Sequence, residues 1–211
     1  MYNHVNDLYD KLITVGLRLA LSVAAPGRCA CSAELDALGE HAIVCKKGIG
    51  RGAPHTEVNA RIRQALLGPG CPSILEPPSM TRTDGKRPDG ATVLPYEQGL
   101  PIASDATIVH TSAQSYKHLT SVNTGEAAAA AEAKKKLKYT ALQGRVDFRF
   151  VGLETLSPFG PSATELFDSF ASRIRAKTGD AGARTHFYRR IAAEVQIGNA
   201  ACIVEAHSRT N

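Results

Sequence analysis

A chain of 211 residues, 43% hydrophobic and 21% charged, can build one medium-sized domain with a real core plus a small appendage, which excludes a disordered or fibrous protein. The 25 basic against 20 acidic residues leave a net charge of +5, which suits a polyanion such as DNA or RNA without selecting one. The longest apolar stretch, residues 12–25, is interrupted by Arg18 and falls short of the roughly 20 residues of a membrane span.

Residues 5–24 carry Val5, Leu8, Leu12, Ile13, Val15, Leu17 and Leu19 at helical spacing, and Pro26-Gly27 ends the pattern. Acidic and polar residues precede this run in place of the basic start of a signal peptide. A Cys/His segment follows over 28–48, then a glycine-rich loop. A helix is predicted from His55 to Leu67, with Val58, Ile62, Ala65 and Leu66 as its apolar face, stopped by Gly68-Pro69-Gly70. Three short strands are predicted next, over 73–76, 89–94 and 102–111. The alanine-rich stretch 124–142 predicts a helix with Thr124 and Glu126 as capping residues. Alternation of Val146, Phe148 and Phe150 against Asp147 and Arg149 predicts a strand, and two further helices are expected near 162–177 and 183–207. This order predicts an α/β fold in which a central mixed sheet is flanked by helices, with a small N-terminal Cys/His knuckle.

Cys29, Cys31, His41 and Cys45 have the spacing C-x-C-x9-H-x3-C. Structural zinc takes four such ligands in a tetrahedron. A loop pair and a pair one helical turn apart can close that site, and Gly39 lets the chain turn back between them. Clustered thiols beside a histidine favour a metal over a disulfide framework and point to an intracellular chain. Cys71 and Cys202 lie apart and read as core residues.

Asp89 follows Pro88 at the start of one predicted strand, and Asp105 opens the next apolar strand. If the two strands pair as an antiparallel hairpin, both carboxylates reach neighbouring positions near one sheet edge. Paired carboxylates hold a hard divalent cation through oxygen. Aspartate is also common in turns beside glycine. Glu132, Lys135, Lys138 and Tyr139 share one helical face, where a lysine can orient a nucleophile or neutralise developing charge; such a face can equally be a solvated one. Lys134 and Lys136 read as solvated. Glu57 could complete a metal site, although helix N-termini attract glutamate for dipole reasons alone. His55 and Glu57 are the candidate functional groups of the first core helix.

The order Cys29-x-Cys31, Gly39-x-His41-x3-Cys45, Arg51 with His55, Arg87-Pro88-Asp89, Asp105-Ala106-Thr107 and Glu132-x2-Lys135-x2-Lys138-Tyr139 resembles the restriction-like endonuclease region of non-LTR retrotransposon polyproteins. That region lies C-terminal to the reverse transcriptase, is similar to archaeal Holliday-junction resolvases and belongs to the PD-(D/E)xK nuclease superfamily. The resemblance covers roughly residues 10–160. It implies a structural Zn²⁺ knuckle feeding a nuclease that nicks DNA with Mg²⁺, Asp89 and Asp105 as metal carboxylates, and Lys135 or Lys138 as the catalytic lysine with Tyr139 following it. It also implies DNA, as target duplex or branched, with contacts from Arg87, His55 and Arg51, retroelement RNA or a reverse transcriptase as further partners, no membrane, and a nuclear location. The superfamily's usual strand lysine is missing after Asp105, and in the retrotransposon branch it is supplied from the next helix, where Lys135 or Lys138 stands. The sequence departs from the family in the long segment between Asp105 and these lysines and in Arg51 standing four residues before His55. The expected division is an N-terminal helix over 1–27, a zinc knuckle over 28–50, a restriction-like endonuclease core over 51–160 and a helical extension over 161–211. The function expected is metal-dependent phosphodiester hydrolysis, by a retroelement nuclease or a domesticated remnant. The alternative is a catalytically inactive, zinc-containing nucleic-acid-binding module. The absence of tryptophan and the 6% aromatic content speak against an extended single-strand stacking platform.

Overall fold

The computed structural model describes residues 12–48, 52–68, 70–81, 85–96, 98–139, 144–156 and 158–208. The chain opens with helix α1 (12–18) and a small hairpin of β1 (Gly27–Arg28) and β2 (Glu34–Leu35), followed by α2 (Glu40–Val44) and α3 (Ala53–Leu67). Then come β3 (Ser73–Leu75), β4 (Gly90–Thr92), β5 (Ile102–Val109), α4 (Lys117–Thr120), α5 (Glu126–Lys136), β6 (Asp147–Glu154), α6 (Pro161–Thr178) and α7 (Ala183–Ser208).

The main sheet has the order β3-β4-β5-β6. The first two pairings are antiparallel and the last is parallel, with Asp105 opposite Phe150. A parallel pair needs a crossover connection, and α5 provides it. Strand alternation then sorts the side chains. Ile102 and Ala106 of β5 with Val151 and Leu153 of β6 face a core built from Val58 and Ile62 of α3, Phe167 and Phe170 of α6, and Ile191 and Val195 of α7. On the opposite face Ala103 and Phe150 meet Tyr139, and α5 lies across β6. The alanine run has a packing reason there: a Cβ added at Gly152 of β6 would sit 2.6 Å from the Ala128 carbonyl oxygen. The fold is therefore a mixed α/β sheet with helices on both faces. α6 and α7, within the stretch expected as an extension, supply most of one layer.

Two predicted helices are shorter than expected. Of the helix expected over 5–24, residues 1–11 lie outside the described residues, and the helix stops at residue 18. Ala20 takes φ +51, the Leu21 N–H returns to the Gly16 carbonyl at 2.9 Å, and the Val23 and Ala24 N–H groups go to the Ala37 carbonyl. Pairing with the knuckle thus replaces further helical bonds. α5 begins at Glu126, after Gly125, with no side-chain cap from Thr124. Its free N–H groups are met from across the structure: Glu154 Oε1 accepts the Ala127 and Ala128 N–H at 3.1 and 3.3 Å. It ends at Lys136, where a tight turn returns the Lys138 N–H to the Lys135 carbonyl. The short α4 has no counterpart among the predicted elements.

Glu132 repeats the capping device. Its carboxylate, 5% exposed, accepts the N–H groups of Gly152, Ser162 and Ala163 at 2.9–3.0 Å, binding α5 to β6 and to the first turn of α6. Glu132→Ala strands these buried donors and is expected to cost about 2–4 kcal/mol of unfolding free energy. Urea denaturation of the variant checks this, and a loss below about 0.5 kcal/mol, the size of an ordinary surface change, would show that the carboxylate does not hold α5.

Candidate active site and metal centre

The Cys/His segment forms its own small centre. In the β1–β2 turn the Cys29 N–H donates to the Ala33 carbonyl at 2.9 Å and the Ser32 N–H to the Cys29 carbonyl at 2.8 Å, which turns Cys29 and Cys31 to one side. Gly39, at φ +72, starts α2, and an added Cβ there would lie 2.6 Å from Ile203. Asp36 caps α2 by accepting the N–H groups of Glu40 and His41 at 2.9 and 2.7 Å. His41 and the C-cap Cys45 then face the loop pair: Cys29 Sγ lies 3.5 Å from Cys45 Sγ, and Cys31 Sγ 3.2 Å from His41 Nε2.

All four ligand atoms lie within 4.8 Å of one another. Tetrahedral zinc with bonds of about 2.0–2.3 Å separates its ligands by about 3.3–3.8 Å, so this cluster can hold a structural zinc ion. A hydrogen bond from the Ala33 N–H, above all, lowers the Cys31 thiol to about 7, which favours the thiolate that zinc binds. Cys71 and Cys202 are buried apart from the cluster, as core residues.

A second centre lies at the start of β4, over the two central strands of the main sheet rather than at its edge. The β4–β5 register pairs Gly90 with Ser104 and Ala91 with Ala103. One step further along it, Asp89 falls opposite Asp105. Both carboxylates line a cleft of about 640 Å³ together with His55, Glu76, Lys86, Arg87, Lys135 and Lys138. Asp89 Oδ2 accepts the Ala106 N–H at 2.6 Å and lies 3.0 Å from His55 Nε2. The Lys135 ammonium donates to Asp105 Oδ1 and to the Ala106 carbonyl.

The electrostatics follow from this pairing. The hydrogen bond to Asp89 raises the His55 imidazole, against the effect of burial. Burial pushes the Asp89 carboxyl up, but His55, the Ala106 N–H and Lys135 together outweigh it and hold it below its ordinary range. Tyr139 is buried and stacks on Phe148 at 4.3 Å between centroids, and its hydroxyl donates to the Arg87 carbonyl at 3.3 Å. It holds the Arg87-Pro88-Asp89 loop against the sheet.

The structure thus brings together His55, Arg87, Asp89, Asp105, Lys135, Lys138 and Tyr139. Lys135 reaches Asp105, whereas Lys138 is exposed on the wall. Glu132 shares the Lys135 face of α5 but is spent on capping α6. Glu57 is exposed and does not line the cleft, two positions beyond His55 and so on another side of α3. Arg51 lies outside the described residues. Glu76 is the carboxylate that sequence reasoning passed over. It ends β3 at φ +45, an unusual conformation for a non-glycine residue, and its N–H donates to the Asp89 carbonyl at 3.0 Å. Its only signal was its place before Pro77-Pro78, which reads as a strand stop.

No family model matches the sequence, and a search of curated proteins returns no match. No helix among the described residues is long and apolar enough to cross a membrane.

The zinc centre predicts one zinc ion per chain by elemental analysis, and substitution of Cys29 and Cys45 by serine is expected to abolish it; full zinc content in that double variant would exclude this ligand set. The His55–Asp89 pair has a defined pH signature. The raised His55 contributes stability in full below its ordinary 6.5 and loses it as pH rises through the folded-state value. The lowered Asp89 contributes in full above its ordinary 3.8 and loses it as pH falls through the folded-state value. The pair therefore supports the fold most between those limits. Titration of His55 by NMR should give a midpoint above 6.5, and Asp89→Asn should bring it down; an unmoved midpoint would deny the pair.

Proposed function

We propose that the protein is a metal-dependent DNA endonuclease of the PD-(D/E)xK, restriction-endonuclease-like type, a target-nicking nuclease of a retroelement or a domesticated remnant of one. The observation that carries this reading is the convergence of Asp89, Asp105 and Lys135 in one cleft. The mixed sheet flanked by helices, with a Cys/His knuckle before it, is the layout that the resemblance implies.

In this reading Asp89, Asp105 and the Ala106 carbonyl hold Mg²⁺, an all-oxygen donor set suited to a hard cation. When bound, the ion supplies charge stabilisation at the scissile phosphate and lowers the pKa of a water. Lys135, fixed beside Asp105, donates to the attacking oxygen or to the charge that develops on phosphate. Lys86, Arg87 and Lys138 on the cleft wall hold flanking phosphates. His55 keeps the Asp89 carboxylate ionised and turned toward Ala106. The substrate is DNA, the partners are retroelement RNA or a reverse transcriptase, and the location that follows is nuclear.

A specific observation favours the second reading, an inactive nucleic-acid-binding module. Both carboxylates are already paired, Asp89 with His55 and Asp105 with Lys135.

A nicking assay on supercoiled plasmid with Mg²⁺ or Mn²⁺ separates the two. The nuclease reading expects nicking that is lost in Asp89→Ala/Asp105→Ala and falls by about 10²-fold or more in Lys135→Ala. Wild-type nicking by an Asp89→Ala variant removes the assignment. Absence of nicking with DNA binding retained selects the binding module.

A further inference from the structure

A second groove, of about 910 Å³, runs from the cleft toward the Cys/His knuckle and shares His55 and Lys135 with the cleft. Residues at and after α2, among them Lys46, line it, as do the C-terminal end of β5, Tyr116 before α4, and Lys134 of α5. Hydrolysis in the cleft uses none of Lys46, Tyr116 or Lys134.

The lining restricts what the groove accepts. Among the described residues its lining has three lysines, two histidines and no carboxylate. Lys135 and His55 are paired with Asp105 and Asp89 in the cleft, and Lys46 and Lys134 give the groove the positive charge that favours an anionic occupant. Its volume is that of a small-molecule pocket, room for single-stranded nucleotides rather than for a duplex seated within it. Among its described lining residues the only Phe, Tyr or Trp is the half-buried Tyr116, enough to stack one base. An anion with a flat face, thin enough for this space and continuous with a phosphodiester cleft, is a single polynucleotide strand.

We infer that the groove holds an unpaired arm of the nucleic-acid substrate, one base stacked on Tyr116 and its phosphates beside Lys134 and Lys46, so that the cleft works next to a junction of paired and unpaired strand. This rests on the cleft being a nucleic-acid site.

The test uses the full chain with Ca²⁺ in place of Mg²⁺, and fluorescence anisotropy on two probes: a short DNA duplex with an unpaired thymidine arm, and the same duplex blunt. The armed probe is expected to bind about fivefold more tightly or better, the range of a single base–aromatic stack. Tyr116→Ala should abolish that preference and Tyr116→Phe should keep it, which separates stacking from a folding defect. Lys134→Ala should weaken the armed probe and flatten its salt dependence. Equal affinity of the wild type for the two probes overturns the inference and leaves the nuclease reading standing. Failure to bind either probe overturns the nucleic-acid reading beneath it.

Discussion

Two buried carboxylates decide where α5 lies, and the rest of the cleft depends on that placement. Glu154, fully buried at the end of β6, receives the first N–H groups of α5. Glu132, a little over one turn along, receives the first N–H groups of α6 and that of Gly152. A helix N-terminus carries unmet donors and a partial positive charge, so an anionic acceptor there satisfies both demands. Because the contacts lie at two levels of one helix, they fix its rotation as well as its height. Lys135 is one further turn on, and that phase delivers its ammonium to Asp105. The lysine that the strand lacks is thus supplied by a helix whose position is set by hydrogen bonds made elsewhere.

The Asp89–Asp105 pair has a different origin, in backbone register. Antiparallel pairing of β4 with β5 puts the residue before one strand opposite the fourth residue of the other. Tyr139 then pins the preceding loop by its hydroxyl, with its ring stacked on Phe148. A strand register, a capped helix and an aromatic stack each place one part of the same cleft.

The parts legible in the sequence were those with a local signature. Strand alternation, the alanine run and the C-x-C-x9-H-x3-C spacing located β6, α5 and the knuckle, and Pro88-Asp89 located the start of β4. Asp105, expected to open its strand, is instead the fourth residue of β5, which begins at Ile102. What stayed hidden depended on contacts distant in sequence. The end of α5 was one such feature, because alanine and lysine favour continued helix while Tyr139 is drawn down onto Phe148. Glu132 read only as a member of the helical face that carries Lys135, since only the fold shows that the N-terminus of α6 approaches it. Lys134 read as a solvated charge and is exposed, but its place on the wall of the second groove depends on α2 and Tyr116. Glu57 and Glu76 exchanged places for a similar reason: periodicity gives the face of a helix but not which face looks across at the sheet.

α7 carries a consequence for how such a chain can change over time. Its first half, with Phe187, Ile191 and Val195, is seated in the main core, and its second, with Ala200 and Ile203, in the core of the knuckle. Its 26 residues make a rod of about 39 Å. Near its end His207 Nε2 lies 2.7 Å from the Ala25 carbonyl, just ahead of the knuckle. Insertion or loss of a single residue between Val195 and Ala200 would turn the knuckle by about 100° around the helix axis relative to the cleft. Length variation in this segment is therefore tolerable only near whole helical turns, and the knuckle and the cleft must diverge as a phase-locked pair.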